Sequence, residues 1–172
     1  TKVSQSLMMN YEALVVGTSA GGMRALKEII SGIGNSFRLP MIIVQHLHAN
    51  SDSFLAHYLN SLSSFTVKEA EDKERILEGT GYLAPANYHL LIEYDRTLSL
   101  NTDERINYSR PSIDVLFTSA ADVYSTKLIG MILTGANNDG FHGMMKIKKA
   151  GGLTIVQDPR NAEADYMPRA VI

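Results

Sequence analysis

"VVGTSAGGMRALKEII", residues Val15–Ile30, is the stretch on which the fold turns. An apolar run over Ala13–Gly17 reads as a short buried strand ending in glycine. A glycine-rich corner follows and carries Ser19. Apolar residues then recur at Met23, Leu26, Ile29 and Ile30, the spacing of one helical face, and Gly32 and Gly34 end the run. Strand, tight corner and amphipathic helix make one βα unit. The corner itself has two readings: backbone amides at a helix start that cradle an anion, or a support for a serine nucleophile. "GTSAGG" matches neither the dinucleotide G-x-G-x-x-G pattern, nor the G-x-S-x-G elbow, nor a Walker loop.

Outward from this unit the βα rhythm repeats. "PMIIVQH" (Pro40–His46) reads as a second buried strand, and Ser51–Leu62 as a helix with a serine cap. Later, Ser112–Ser125 reads as a helix that Pro111 starts, and Lys127–Gly135 as a buried strand. Asp139–Gly152 reads as a helix with lysines in its last turn, "LTIVQD" as a strand, and "MPRAVI" as the opening of a further helix. Between the two halves, "FTVKEA", "GYLAPA", "YHLLIEY" and "TLSLN" read as a small, mostly antiparallel excursion. The charged run Lys68–Gly79 reads as a solvated turn. The expected fold is α/β: doubly wound, with a mostly parallel sheet, helices on both faces and an antiparallel β-hairpin excursion.

Composition narrows the function. The chain has 172 residues, 45% hydrophobic and 20% charged, enough for one domain with a real core. A net charge of −2 gives no basic footprint for nucleic acid. With no cysteine, disulfides, a thiol nucleophile and thiolate metal sites are excluded. No apolar run approaches the roughly 18–20 residues of a membrane span, and the N-terminus lacks a signal-peptide core. A cytoplasmic location without membrane insertion is expected. "NYS" at Asn107–Ser109 matches a glycosylation sequon and reads as chance in a cytoplasmic chain.

In an open parallel sheet, sites gather at the carboxyl ends of strands. Ser19 follows the first strand, Gln45, His46 and His48 follow the second, and Asn137, Asn138 and Asp139 follow the strand at Lys127–Gly135. Serine, histidine and aspartate past three strand ends are the parts of a nucleophilic triad: a hydroxyl that attacks, an imidazole that takes its proton, and a carboxylate that orients the imidazole. Each residue also has a plainer reading. Ser19 fits a phosphate or turn loop, His46 a satisfied rim histidine, and Asp139 the N-cap of its own helix. "HLH" at His46–His48 invites a metal, but His57, His89 and His142 are scattered and no metal or cofactor is expected.

Six blocks in order, "VVGTSAGGMRAL", "IIVQHL", "VKEAEDKERILEGTGYLAPANYHLLIE", "RPSIDVLFTSAA", "GMILTGANNDGFHGM" and "AGGLTIVQDP…YMPRAVI", resemble the catalytic domain of the CheB-type chemoreceptor methylesterases. The resemblance implies a serine hydrolase that removes methyl esters from glutamate side chains on the cytoplasmic tails of methylated chemoreceptors, and deamidates particular glutamines there. It implies Ser19 as nucleophile, His46 as base, Asp139 as orienting acid, and backbone N–H groups near Ala20 and Ala136 for the oxyanion. Arg110, Arg160 and Arg169 are the expected contacts to acidic receptor helices. Asn137 stands where the resembled sequences commonly have glycine, so a left-handed backbone and altered oxyanion geometry are expected there. "LHAN" after His46 implies a different substrate rim.

The expected division is a lead-in over 1–12 and a catalytic domain over 13–172, its C-terminus shortened. The phosphoacceptor receiver domain of classical members is not expected within it, so constitutive competence is expected, whether in a stand-alone member or in a piece of a longer chain. Two other readings set against this one are a non-catalytic anion- or nucleotide-binding module using "GTSAGG", and a receptor-tethering scaffold without turnover.

Overall fold

A computed structural model describes residues 10–172; most of the 1–12 lead-in lies outside the described residues. Strand β1 (Ala13–Thr18) passes through the corner at Ser19 into helix α1 (Gly22–Gly32). Gly21 holds a left-handed φ of 79° at this corner, a conformation that favours glycine. Strand β2 (Met41–Gln45) and helix α2 (Phe54–Asn60) form the second unit. Strands β3 (Thr66–Glu69), β4 (Thr80–Leu83), β5 (His89–Ile92) and β6 (Leu98–Asn101) follow. Helix α3 (Ile113–Tyr124), strand β7 (Leu128–Ile132), helix α4 (Phe141–Lys149), strand β8 (Leu153–Val156) and helix α5 (Tyr166–Val171) complete the chain.

Six strands form one sheet in the order β3-β4-β2-β1-β7-β8, and every pairing in it is parallel. β5 and β6 pair antiparallel as a separate hairpin, His89 opposite Asn101 and Ile92 opposite Leu98. The doubly wound expectation holds, but the excursion is smaller than the sequence suggests. "FTVKEA" and "GYLAPA" supply β3 and β4, which extend the parallel sheet; only "YHLLIEY" and "TLSLN" make the hairpin. The charged run is also more than a solvated turn. Lys73 and Ile76 donate backbone N–H groups to Leu98 and Arg96, and Asp72 accepts the N–H of Leu100, so the run docks the hairpin. Its alternating charges hide backbone that is already partnered.

Successive side chains of a strand face opposite ways, which divides the core. Ala13 and Val15 face α3 and α4 with Ile42, Val44, Phe117 and Ile147. Leu14 and Val16 face α1 and α2 with Leu26, Ile30, Leu55 and Leu59. β1 and β2 are buried along their whole lengths, so their carboxyl ends are rigid platforms for Ser19 and His46.

Candidate active site

The loops after β1, β2 and β7 converge on one rim. Ser19 donates its backbone N–H to Thr134 O (2.9 Å), which ties the serine corner to the end of β7. Buried Gln45 donates from Nε2 to the carbonyls of Ser19 (2.9 Å) and His46 (3.0 Å), fixing both loops with one amide. Gly135 donates to Ala164 O and accepts from Met167 N, both at 2.9 Å, so the chain entering α5 latches the β7 loop.

On this frame the structure brings Ser19, His46 and Asp139 together. His46 Nε2 lies 2.8 Å from Asp139 Oδ2, and His46 Nδ1 lies 3.1 Å from Ser19 Oγ. A carboxylate only accepts, so Nε2 carries the proton and Nδ1 presents its lone pair to the Ser19 hydroxyl. Asp139 is wholly buried, while His46 is 12% exposed and faces the rim. An arrangement of this kind is able to draw the serine proton onto the imidazole.

Asp139 does not cap its own helix. Its Oδ2 also accepts from the N–H of Ile113 (2.6 Å), and its Oδ1 accepts from the N–H of Asp114, Ser112 Oγ and Asn107 Nδ2 at 3.0–3.1 Å. It therefore caps α3, not α4. Burial pushes its carboxyl upward, but the bonds from His46, Ile113, Asn107 and Asp114 outweigh burial and hold it below the usual carboxylate range. Asp114, in the first turn of α3, accepts the N–H of Gly143 (2.7 Å) in the first turn of α4. Burial, with the charge of Asp139 added, pushes the Asp114 carboxyl above its usual range despite that bond. Asn107 Nδ2 bridges the two carboxylates, 2.9 Å from Asp114 and 3.0 Å from Asp139.

Asn107 is thus a site residue that the sequence reading passed over as a chance sequon. Its only sequence mark is a residue type that tolerates left-handed backbone, and it does adopt φ 53°. Asn137 differs from expectation in the opposite sense. It is not among the residues with positive φ. Its side chain instead enters the site: Oδ1 accepts from Asp139 N (2.9 Å), and Nδ2 lies 3.1 Å from His46 Nδ1 and 3.3 Å from Ser19 Oγ.

Ala20, next to Ser19, and Ala136, in the loop after β7, are exposed, and among the described residues neither N–H has a hydrogen-bond partner. The three arginines are engaged elsewhere. Arg110 donates to Asn87 Oδ1 and to the carbonyls of Thr102 and Asp103. Arg160 pairs with Asp158, holding that carboxyl down at about 2, and Arg169 pairs with Asp165. His48, His57 and His142 are exposed, and His89 is buried with its ring bonded to Glu104 O and Ser112 N. Among the described residues no group of three or more metal-ligating side chains occurs, and no helix is long and apolar enough to cross a membrane.

Comparison with known proteins identifies the family. The family model for CheB methylesterase matches residues 14–172. A Leptospira interrogans protein provisionally named protein-glutamate methylesterase/protein-glutamine glutaminase is 55% identical over 164 residues, covering 95% of this chain and 85% of its own length. A Thermotoga maritima protein-glutamate methylesterase/protein-glutamine glutaminase is 38% identical over 92% of this chain, which spans 47% of that relative's length. The crystal structure of the Thermotoga maritima CheB methylesterase catalytic domain superposes with a TM-score of 0.90 at 36% identity, covering 94% of this chain and 87% of that one. With a family model spanning β1 to α5 and a fold shared at this level, the chain belongs to the CheB methylesterase family.

Proposed function

We propose that this chain hydrolyses the γ-methyl esters of glutamate side chains on the cytoplasmic tails of methylated chemoreceptors, and deamidates glutamines at equivalent positions. The observation that carries this reading is the continuous contact from Ser19 Oγ through His46 to Asp139, at 3.1 Å and 2.8 Å.

In this mechanism His46 Nδ1 takes the Ser19 proton as Oγ attacks the ester carbonyl. The carbonyl π pair moves to oxygen, and the unpartnered N–H groups of Ala20 and Ala136 receive that charge. Asp139 stays ionised and stabilises the imidazolium. Collapse of the intermediate expels methoxide, which takes the proton from His46 and leaves as methanol. Water then attacks the acyl-serine, again losing its proton to His46, and releases glutamate and free Ser19. A primary amide follows the same course with ammonia as leaving group.

The catalytic unit in this reading is residues 13–172. Arg160 before α5 and Arg169 within it, both exposed, are the proposed contacts to carboxylates of the receptor helix, exchanging their ion pairs with Asp158 and Asp165; Arg110 is the third, reached only if it releases Asn87, Thr102 and Asp103. The test is methanol release from a helical peptide bearing a glutamate γ-methyl ester. Wild type is expected to release methanol, and Ser19→Ala to lose the rate by about 10³–10⁶-fold.

A further inference from the structure

The amide of Asn137 lies at the seam between Ser19 and His46, and its orientation is fixed. Oδ1 is occupied by the N–H of Asp139 at 2.9 Å, so the NH₂ end faces Ser19 Oγ and His46 Nδ1. We propose that Asn137 is a catalytic residue of this chain, donating to Ser19 Oγ to fix the direction of attack and to stabilise that oxygen as it loses its proton. The inference rests on Ser19 being the nucleophile.

A serine hydroxyl has one hydrogen and two lone pairs. The hydrogen points to His46 Nδ1 (3.1 Å), and the Asn137 N–H occupies one lone pair (3.3 Å). One lone pair remains, and it is the one that meets the substrate carbonyl. The donor holds the hydroxyl's hydrogen and lone pairs in one rotational state about the Cβ–Oγ bond, which is the orientation term of the rate.

The contact also strengthens as the reaction proceeds. At rest the amide is shared between two acceptors, Oγ and the Nδ1 lone pair, with the nitrogen the nearer. When the proton passes from Oγ to Nδ1, that nitrogen becomes a donor and stops accepting. Asn137 is then left with Oγ as its acceptor, while the bond from Oγ to the carbonyl carbon is still incomplete and that oxygen carries part of the developing charge. An interaction stronger in the transition state than at rest raises kcat more than it lowers KM. Asn137 itself gives up no proton.

The experiment compares Asn137→Asp, Asn137→Ala and Ser19→Ala with wild type in two assays: methanol release from a glutamate γ-methyl ester peptide, and the rate of labelling by a fluorophosphonate. Asn137→Asp keeps the acceptor for Asp139 N and removes the donor; Asn137→Ala removes both without adding charge. Both variants are expected to lose about 10- to 100-fold in kcat, the scale of one hydrogen bond to a charging oxygen, with KM within about twofold. Labelling should slow by a similar factor, and circular dichroism should show the wild-type fold. Unchanged kcat and labelling in the folded Asn137 variants, beside an inactive Ser19→Ala, would overturn this inference alone. A rise in KM with kcat preserved would overturn it too, by making Asn137 a binding residue. Full activity in Ser19→Ala would overturn the serine reading and this inference with it.

Discussion

Asp139 and Asp114 cap each other's helices. Asp139, just before α4, accepts the N–H groups of Ile113 and Asp114 at the start of α3, and Asp114, inside α3, accepts the N–H of Gly143 at the start of α4. Both carboxylates are buried, and Asn107 stands between them with one N–H to each. The aspartate that orients His46 is thereby locked to two helices at once. Positioning of the His46 ring and stability of the α3–α4 pair are one structural feature.

Asp139→Asn should therefore damage both. Every contact to the Asp139 carboxylate comes from a donor, so an amide NH₂ must face one in either orientation. A loss of about 3 kcal/mol in urea unfolding at neutral pH is expected, with kcat lowered on the order of 10³–10⁴-fold. The folded carboxyl lies below its unfolded value. Its contribution is thus present above about pH 4 and is lost as pH falls through the folded value. The stability gap between wild type and variant should narrow on acidification; a gap constant from pH 7 to pH 2 would contradict this.

Asn107→Ala removes the amide that separates two buried carboxylates, at an expected cost of about 2 kcal/mol at neutral pH. Asp114 has a raised folded value, so its stabilising contribution is present below its unfolded value and lost as pH rises through the folded one. The Asn107→Ala deficit should grow as pH is raised through that titration. Asn107→Asp, adding a third carboxylate, should be worse at neutral pH and partly recover in acid. Thermal midpoints across a pH series check both.

Gly135→Ala tests the latch under the serine. A Cβ there would collide with Met167 Cε and lie 3.1 Å from Ser19 Cβ, and Met167 is fully buried. Overpacking of about 1–3 kcal/mol is expected, with kcat lowered roughly tenfold or more as Ser19 is pushed out of line. Adding Met167→Ala makes room, so the double variant should be more active than Gly135→Ala alone. A double variant no better than the single would show that the strain lies elsewhere.

Gln45→Met preserves volume and removes the two N–H groups that hold the carbonyls of Ser19 and His46. About 2 kcal/mol of stability and several-fold in kcat should be lost, with KM little changed. Urea titration and steady-state kinetics on the methyl-ester peptide measure both; a variant with wild-type kcat would contradict the clamp.

The parallel sheet was legible because Val15–Ile30 and its repeats carry local signals: apolar runs, glycine corners and helical spacing. β3, at the sheet edge, and its inner neighbour β4 were misread because short strands alternate in the same way whether they pair parallel or antiparallel. Ser19, His46 and Asp139 stood out by residue type at three strand ends. Asn107 and Asp114 did not, because their roles are long-range hydrogen bonds that leave no periodic mark; Gln45 was visible at the end of its strand, but nothing local shows that its amide holds the carbonyls of Ser19 and His46. Asn137 was noticed for its backbone, whereas its side chain is what reaches the site; residue type alone does not say which end of an asparagine matters.

The central claim is that Ser19 is a nucleophile activated by His46, on a loop that resembles an anion cradle. The most direct measurement is mass spectrometry of the intact chain after reaction with a fluorophosphonate, with peptide mapping of the adduct. The account predicts one covalent adduct on Ser19, formed in step with loss of methanol release and absent from Ser19→Ala and strongly slowed in His46→Ala. An unmodified Ser19 in a chain that still hydrolyses the methyl-ester peptide would contradict it.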